Sequence, residues 1–224
     1  MNDELELGRT AIKERVIDVA LSQFLTHGVR SVTMDEIASS VRISKRTLYE
    51  MFTDKETLLK YCIISRRDEM RVYLDGVLRN TQNVLEVLLA FYRRSVEALH
   101  HINNRFWDDV KKYPEVYAIV VESRDKEADD ELKFFKMGVD QGLFRKDIDY
   151  VVVNTLFRDL LRIYLKTEGN YKFTMLQVYE SFVLTYIRGI VTPKGNEMLD
   201  DFLKENPISD TSWKMNNSLG IKRK

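Results

Sequence analysis

Apolar residues near the start of the chain recur every three or four positions: Ile12, Val16, Ile17, Ala20, Leu21, Phe24 and Leu25. That period predicts an amphipathic helix over about 10–27, and Gly28 stands where a left-handed C-cap is expected. Two much shorter helices follow. Thr33-x-x-Glu36 has the form of a capping box heading a helix over 34–41, and Ser44 can cap another over 45–52. Only ten residues separate Thr33 from Ser44, enough for two turns and a tight corner. A third start, Thr53-x-x-Glu56, opens a longer helix to about Leu74, with Gly76 near its end.

The texture stays helical beyond this point. Val84, Leu85, Leu88, Phe91, Tyr92 and Val96 stripe a helix over 83–101. A short helix over 105–112 precedes Pro114, which suits the first turn of a helix running to Asp140, with Gly142 at its end. Asp147 can cap a helix to Lys166 through Val152, Leu156, Leu160 and Ile163. Thr174 can cap the last, most apolar one, over 175–191. Its stripe is Val178, Tyr179, Phe182, Val183, Tyr186, Ile187, Ile190 and Val191, with Leu176 and Leu184 outside it. Residues 206–224 are polar and read as a tail.

Composition narrows the class. The 224 residues are 44% hydrophobic and 31% charged, with 9 Gly and 3 Pro, which suits helices better than a turn-rich β fold. The longest apolar runs, such as Val87 to Tyr92, stop at six residues, well short of a membrane span. The charged N-terminus has no apolar signal core, so a cytoplasmic protein without a membrane partner is expected. Net charge is zero, but its distribution is uneven. Between Arg42 and Arg67 stand seven basic residues against three acidic ones, a local positive excess of the kind nucleic acid selects. The run Glu122 to Glu131 reads as a solvated helix face. The single Cys62 leaves no internal disulfide and reads as a small buried hydrophobe. His27, His100 and His101 have no ligand at a partner spacing, so neither metal nor cofactor is expected. No nucleophile elbow, phosphate-binding glycine loop or H-E-x-x-H motif points to an enzyme.

The two short helices cannot stand alone. Joined at an angle and packed on a third, they form a helix-turn-helix, with Ile37, Ala38, Ile43, Leu48 and Phe52 as the apolar knot. The residues Thr33, Ile37, Ala38, Ile43, Ser44, Thr47, Leu48, Tyr49, Phe52, Lys55, Glu56 and Leu58 resemble in type and spacing the signature of the tetracycline-repressor (TetR) family of bacterial transcription regulators. The likeness covers about a fifth of the chain. It implies that Thr33, Tyr49 and Lys55 hold DNA phosphates. Ser44, Lys45, Arg46 and Thr47 then lead the recognition helix, where Lys45, Arg46 and Thr47 read bases and Arg46 can bond one guanine twice. Two positions depart from the pattern. Arg42 occupies a turn position usually held by glycine, at a cost of about 1 kcal/mol, and can repay it at a phosphate. Glu50 would repel phosphate and is expected to point away.

The resemblance also implies an all-α protein of two parts and a tail: a three-helix DNA-binding domain at 1–53, a helical ligand-binding and dimerisation domain at 54–205, and 206–224. The expected partners are a palindromic double-stranded operator, a second copy of the chain and a small-molecule inducer. Val178, Phe182, Tyr186 and Ile190 are the expected dimer contacts. Phe106, Trp107, Tyr117, Phe157 and Tyr164 are the expected pocket walls; Arg158 and Arg162, on the same helix as Phe157 and Tyr164, can meet an anion if either turns inward and otherwise face solvent. Aromatic residues at helical spacing are also ordinary core. A regulator controlled by a protein partner, or a helical enzyme retaining the corner, stays open at this stage.

Overall fold

The computed structural model describes residues 2–121, 125–166 and 173–206. Within these residues the chain is helical throughout: α1 (Asn2–His27), α2 (Met34–Val41), α3 (Lys45–Met51), α4 (Lys55–Thr81), α5 (Val84–His100), α6 (Asn104–Val110), α7 (Pro114–Val121), α8 (Asp125–Asp140), α9 (Tyr150–Lys166), α10 (Met175–Ile190) and α11 (Pro193–Glu205). The all-α expectation holds. No described helix is long and apolar enough to cross a membrane. The expected polar tail lies outside the described residues except at its first position, and residues 122–124 of the acidic run do too; the rest of that run belongs to α8.

The chain divides into two compact units. The first comprises Met1–Val72, His101–Ser123 and Leu160–Gly169; the second comprises Tyr73–His100, Arg124–Asp159 and Asn170–Lys224. In the first, the stripe predicted for α1 is buried: Val16, Ala20 and Phe24 meet Ile37, Ala38 and Val41 of α2, Leu48 of α3, Phe52, and Leu58, Leu59 and Cys62 of α4. Phe106, Val110 and Val116 extend the same core. Burial pushes the Cys62 thiol up to about 12, the opposite of what a redox-sensing thiolate requires. In the second unit α5 packs on α8, α10 and α11, around Leu85, Leu89, Phe144, Ile187, Ile190 and Leu199.

Helix ends follow local chemistry, with informative departures. The Thr33 and Ser44 caps and the Thr174 cap form as expected. α4 begins one residue later than Thr53 requires: the Asp54 carboxylate takes the Thr57 N–H at 2.7 Å. That hydrogen bond holds the Asp54 carboxyl below its ordinary range. Likewise Asp149, not Asp147, caps α9 by accepting from Val151 and Val152, while Asp147 pairs with Arg145 at 2.6 Å. α4 runs past Gly76 to Thr81. The helix expected over 114–140 is two, α7 and α8. α11 was not anticipated, although Thr192-Pro193 is a sound start: the threonine hydroxyl accepts from Gly195 and proline fills the first turn.

Inside α8, Gly138 lies against the Phe144 ring, and a Cβ there would overlap it. Gly138→Ala is therefore expected to destabilise the protein by about 1–3 kcal/mol despite the better helix propensity of alanine, read by thermal or urea unfolding.

Candidate nucleic-acid interface

α2 and α3 are only eight and seven residues long. The corner between them is held by a pair of backbone bonds. Arg42 N–H donates to Ser39 at 3.1 Å, and Ile43 N–H donates to Ala38 at 3.0 Å, the two closures of a Schellman end. This motif needs a left-handed residue, and Arg42 supplies it at φ 60° and ψ 43°. The arginine thus sits in the glycine conformation that the signature led us to expect, and its side chain is free of the buried knot. The guanidinium of Arg15, on α1, reaches the Val41 carbonyl at the same helix end.

The leading end of α3 faces outward. Ser44 Oγ accepts from Thr47 N at 3.0 Å and lies 2.7 Å from the Thr47 hydroxyl. Lys45, Arg46 and Tyr49 are exposed, and the Arg46 side chain is 89% exposed. Leu48, one position from each of Thr47 and Tyr49, is fully buried, so a single apolar anchor fixes which face of α3 is presented. Thr33 is exposed at the head of α2: its hydroxyl accepts from Glu36 N at 3.2 Å and its own N–H donates to the Glu36 carboxylate at 2.7 Å. The Thr33 N–H, with the Thr33 hydroxyl 2.9 Å from the same oxygen, holds the Glu36 carboxyl below its ordinary range. Thr33, Arg42, Ser44, Lys45, Arg46 and Tyr49 are all exposed on this helix-turn-helix segment, and Thr47 is half-buried.

Lys55 is placed differently from the rest. Its ammonium donates to the Val29 and Val32 carbonyls at 3.0 and 2.9 Å. Burial lowers its pKa. Two of its three N–H groups therefore brace the α1–α2 loop from the head of α4. The same loop is braced by a residue that the sequence did not reveal. Asp109, on α6, is 8% exposed and accepts the Arg30 N–H at 2.8 Å. Asn103 adds a bond from its amide to Thr26 O at 3.1 Å. A separation of 79 residues leaves no periodic or motif signal by which Asp109 could have been found.

Glu50 is engaged within its own helix: its carboxylate accepts from Arg46 Nε at 3.0 Å on the exposed surface of α3. Lys45 pairs with Asp35 of α2 at 2.8 Å, and that bond raises the lysine's pKa.

The expected pocket residues fall in different places. Phe106 is a core side chain of the first unit at 1% exposure, with Trp107 edge-on at 5.1 Å. Tyr117 and Tyr164 are half-buried in the same unit. Phe157 belongs to the second unit and stacks on Phe182 at 5.4 Å, with the Tyr186 ring tilted against it at 4.8 Å. Of the expected dimer residues, Val178, Phe182 and Tyr186 are half-buried, whereas Ile190 is part of the chain's own core.

Residues 16–62 match the family model described as bacterial regulatory proteins, tetR family. Over 193 residues the chain is 24% identical to the HTH-type transcriptional repressor KstR2 of Mycolicibacterium smegmatis, covering 83% of this chain and 93% of that protein. It is 29% identical over 96 residues to the biofilm-operon negative regulator IcaR of Staphylococcus aureus, 42% of this chain and 50% of that one. A solved transcriptional regulator from Cytophaga hutchinsonii shares the fold with a TM-score of 0.57 at 20% identity, over 80% of this chain and 98% of that chain. The resemblance read from the helix-turn-helix signature is borne out.

Two outcomes follow from the geometry. Arg42→Gly is expected to relieve about 1 kcal/mol of left-handed strain and raise the melting midpoint by about 2–4 °C, read by thermal unfolding. Lys55→Ala removes a charged donor from two carbonyls and is expected to cost about 1–3 kcal/mol of stability, which denaturant titration reads without any DNA present.

Proposed function

We propose that this tetR-family transcriptional regulator binds a palindromic operator as a homodimer and releases it when a small molecule occupies its helical C-terminal region. The observation that carries the DNA-binding part is the outward face of α3. Lys45, Arg46 and Tyr49 are exposed on a helix whose opposite side is sealed by Leu48. Phosphate contacts from Thr33, Arg42 and Tyr49 set the register, and Lys45, Arg46 and Thr47 read base edges. Lys55 then acts chiefly by holding the loop before α2. Each subunit offers one such helix, and a dimer places two in major grooves about 34–36 Å apart or a multiple of that distance.

Support for the dimer comes from α9 together with α10. Val152, Leu156 and Ile163 are 51%, 63% and 56% exposed on α9, an apolar row at helical spacing. Phe157 of α9 lies against Phe182 and Tyr186 of α10. A second copy covering these residues removes apolar surface from water at about 25 cal/mol per Å². Leu156→Glu is therefore expected to leave the monomer's melting curve nearly unchanged, since the residue is exposed, while sedimentation shifts from dimer to monomer.

Support for a ligand comes from polar atoms without protein partners. The hydroxyls of Tyr117 and Tyr186 are buried and make no hydrogen bond among the described residues. The Arg162 charge lowers the Tyr117 pKa against the larger rise from burial. Buried polar atoms of this kind ordinarily meet water or a ligand. The proposed wall is the part of the expected aromatic set that lies in the first unit outside its closed core: Trp107, Tyr117 and Tyr164.

Selection from a random duplex pool tests the whole reading. A palindromic site should emerge, and its affinity should fall steeply with salt through the phosphate contacts. Equal affinity for the selected site and random duplex would remove the regulator reading.

A further inference from the structure

We infer that Glu50 is a specificity-determining residue of the DNA interface, acting by holding Arg46 in the orientation that reads guanine. This assignment rests on the DNA-binding reading of α3. Three observations point to it. The first is the bond itself: Glu50 Oε1 takes the Arg46 Nε hydrogen at 3.0 Å. With Nε engaged, the two terminal nitrogens stay free for the paired acceptors O6 and N7 of guanine.

The second observation is that the pair is badly placed to stabilise its own helix. Arg46 stands in the first turn of a seven-residue helix and Glu50 in its last. The helix dipole disfavours a cation at the first place and an anion at the second. The i,i+4 order, basic before acidic, is also the weaker one. With the Arg46 and Glu50 side chains 89% and 49% exposed, water screens what attraction remains. Helix stability therefore gives little reason for the two residues to stand there.

The third observation is position. A carboxylate on the face that meets DNA opposes every phosphate, so it weakens binding to all sequences alike. It does so less where Arg46 remains bound to it and meets a guanine. On other base pairs an unrestrained arginine would swing to the nearest phosphate and bind anyway. Glu50 withholds that escape. Lys45 is restrained separately, by Asp35 of α2, so the effect is confined to the base pair that Arg46 reads.

The test uses the full-length protein and compares wild type, Glu50→Ala, Glu50→Gln and Arg46→Ala on the selected site, on single-base variants of it and on random duplex. Glu50→Ala should bind random duplex more tightly than wild type while losing about two- to fivefold in discrimination at one or two base pairs. Glu50→Gln, which keeps an acceptor without the charge, should fall between them in discrimination. The double variant Arg46→Ala, Glu50→Ala should show the base preference of Arg46→Ala alone, because the carboxylate has no arginine left to hold. Unchanged base preference in Glu50→Ala, or an equal loss of affinity on all sequences, overturns the assignment. A wild type without any site preference sinks the DNA-binding reading instead, so the two failures are distinguishable. Thermal melts confirm that each variant is folded.

Discussion

Helices of seven and eight residues do not persist in water, so everything on the presented face depends on apolar burial behind it. Leu48 is the sole buried residue of α3, and Phe52 closes its end. Both press into a core made by Val16, Ala20 and Phe24 of α1 and by Leu58 and Leu59 of α4. A methyl-sized Ala38 at the crossing lets α2 and α3 approach closely. Removing any one of these large side chains from a packed core typically costs several kcal/mol, a large fraction of the net stability of a domain. The exposed polar face can therefore vary in sequence while the inner knot cannot.

What was legible in the sequence, and what was not, divides along the range of the interaction. Thr33, Ser44 and Thr174 were readable as caps because a hydroxyl and its N–H partner lie three residues apart. The left-handed Arg42 was readable because the signature that the chain resembles usually has glycine at that turn position. Errors of one or two residues arose where two candidate caps competed, as with Thr53 beside Asp54 and Asp147 beside Asp149. In each case the residue nearer the helix took the N–H groups. α11 was missed because its apolar positions are few and its charges many, although Thr192-Pro193 announced it. The bracing of the α1–α2 loop by Asp109 and Lys55 was invisible, since nothing local in α6 or α4 records where their polar ends are bound. The same limit applies to the aromatic residues of the second half. Their period identified helices, but not that Phe106 and Phe157 belong to different compact units.

Electrostatics at the interface follow from pairing rather than from composition. A chain of zero net charge presents basic groups locally, yet both leading cations of α3 have carboxylate partners, Asp35 and Glu50. Exposed pairs of this kind add little to stability. Their effect is on which orientations the long side chains sample before any partner arrives. In the proposed DNA reading, a donor pattern biased by such pairs matches fewer acceptor patterns than an unpaired one.

The hydrogen bond from Arg30 N–H to Asp109 also bears on the order in which the protein is made. Its donor precedes its acceptor by 79 residues. At about 5–20 residues per second of synthesis, the loop waits roughly 4–16 s for α6 to exist. During that interval the first four helices can collapse around Phe24 and Leu48, but the loop's polar atoms must remain with water. The N-terminal segment on the ribosome thus holds a partial core, which Phe106, Val110 and Val116 and the Asp109 bond complete late, from a piece of chain that lies far downstream.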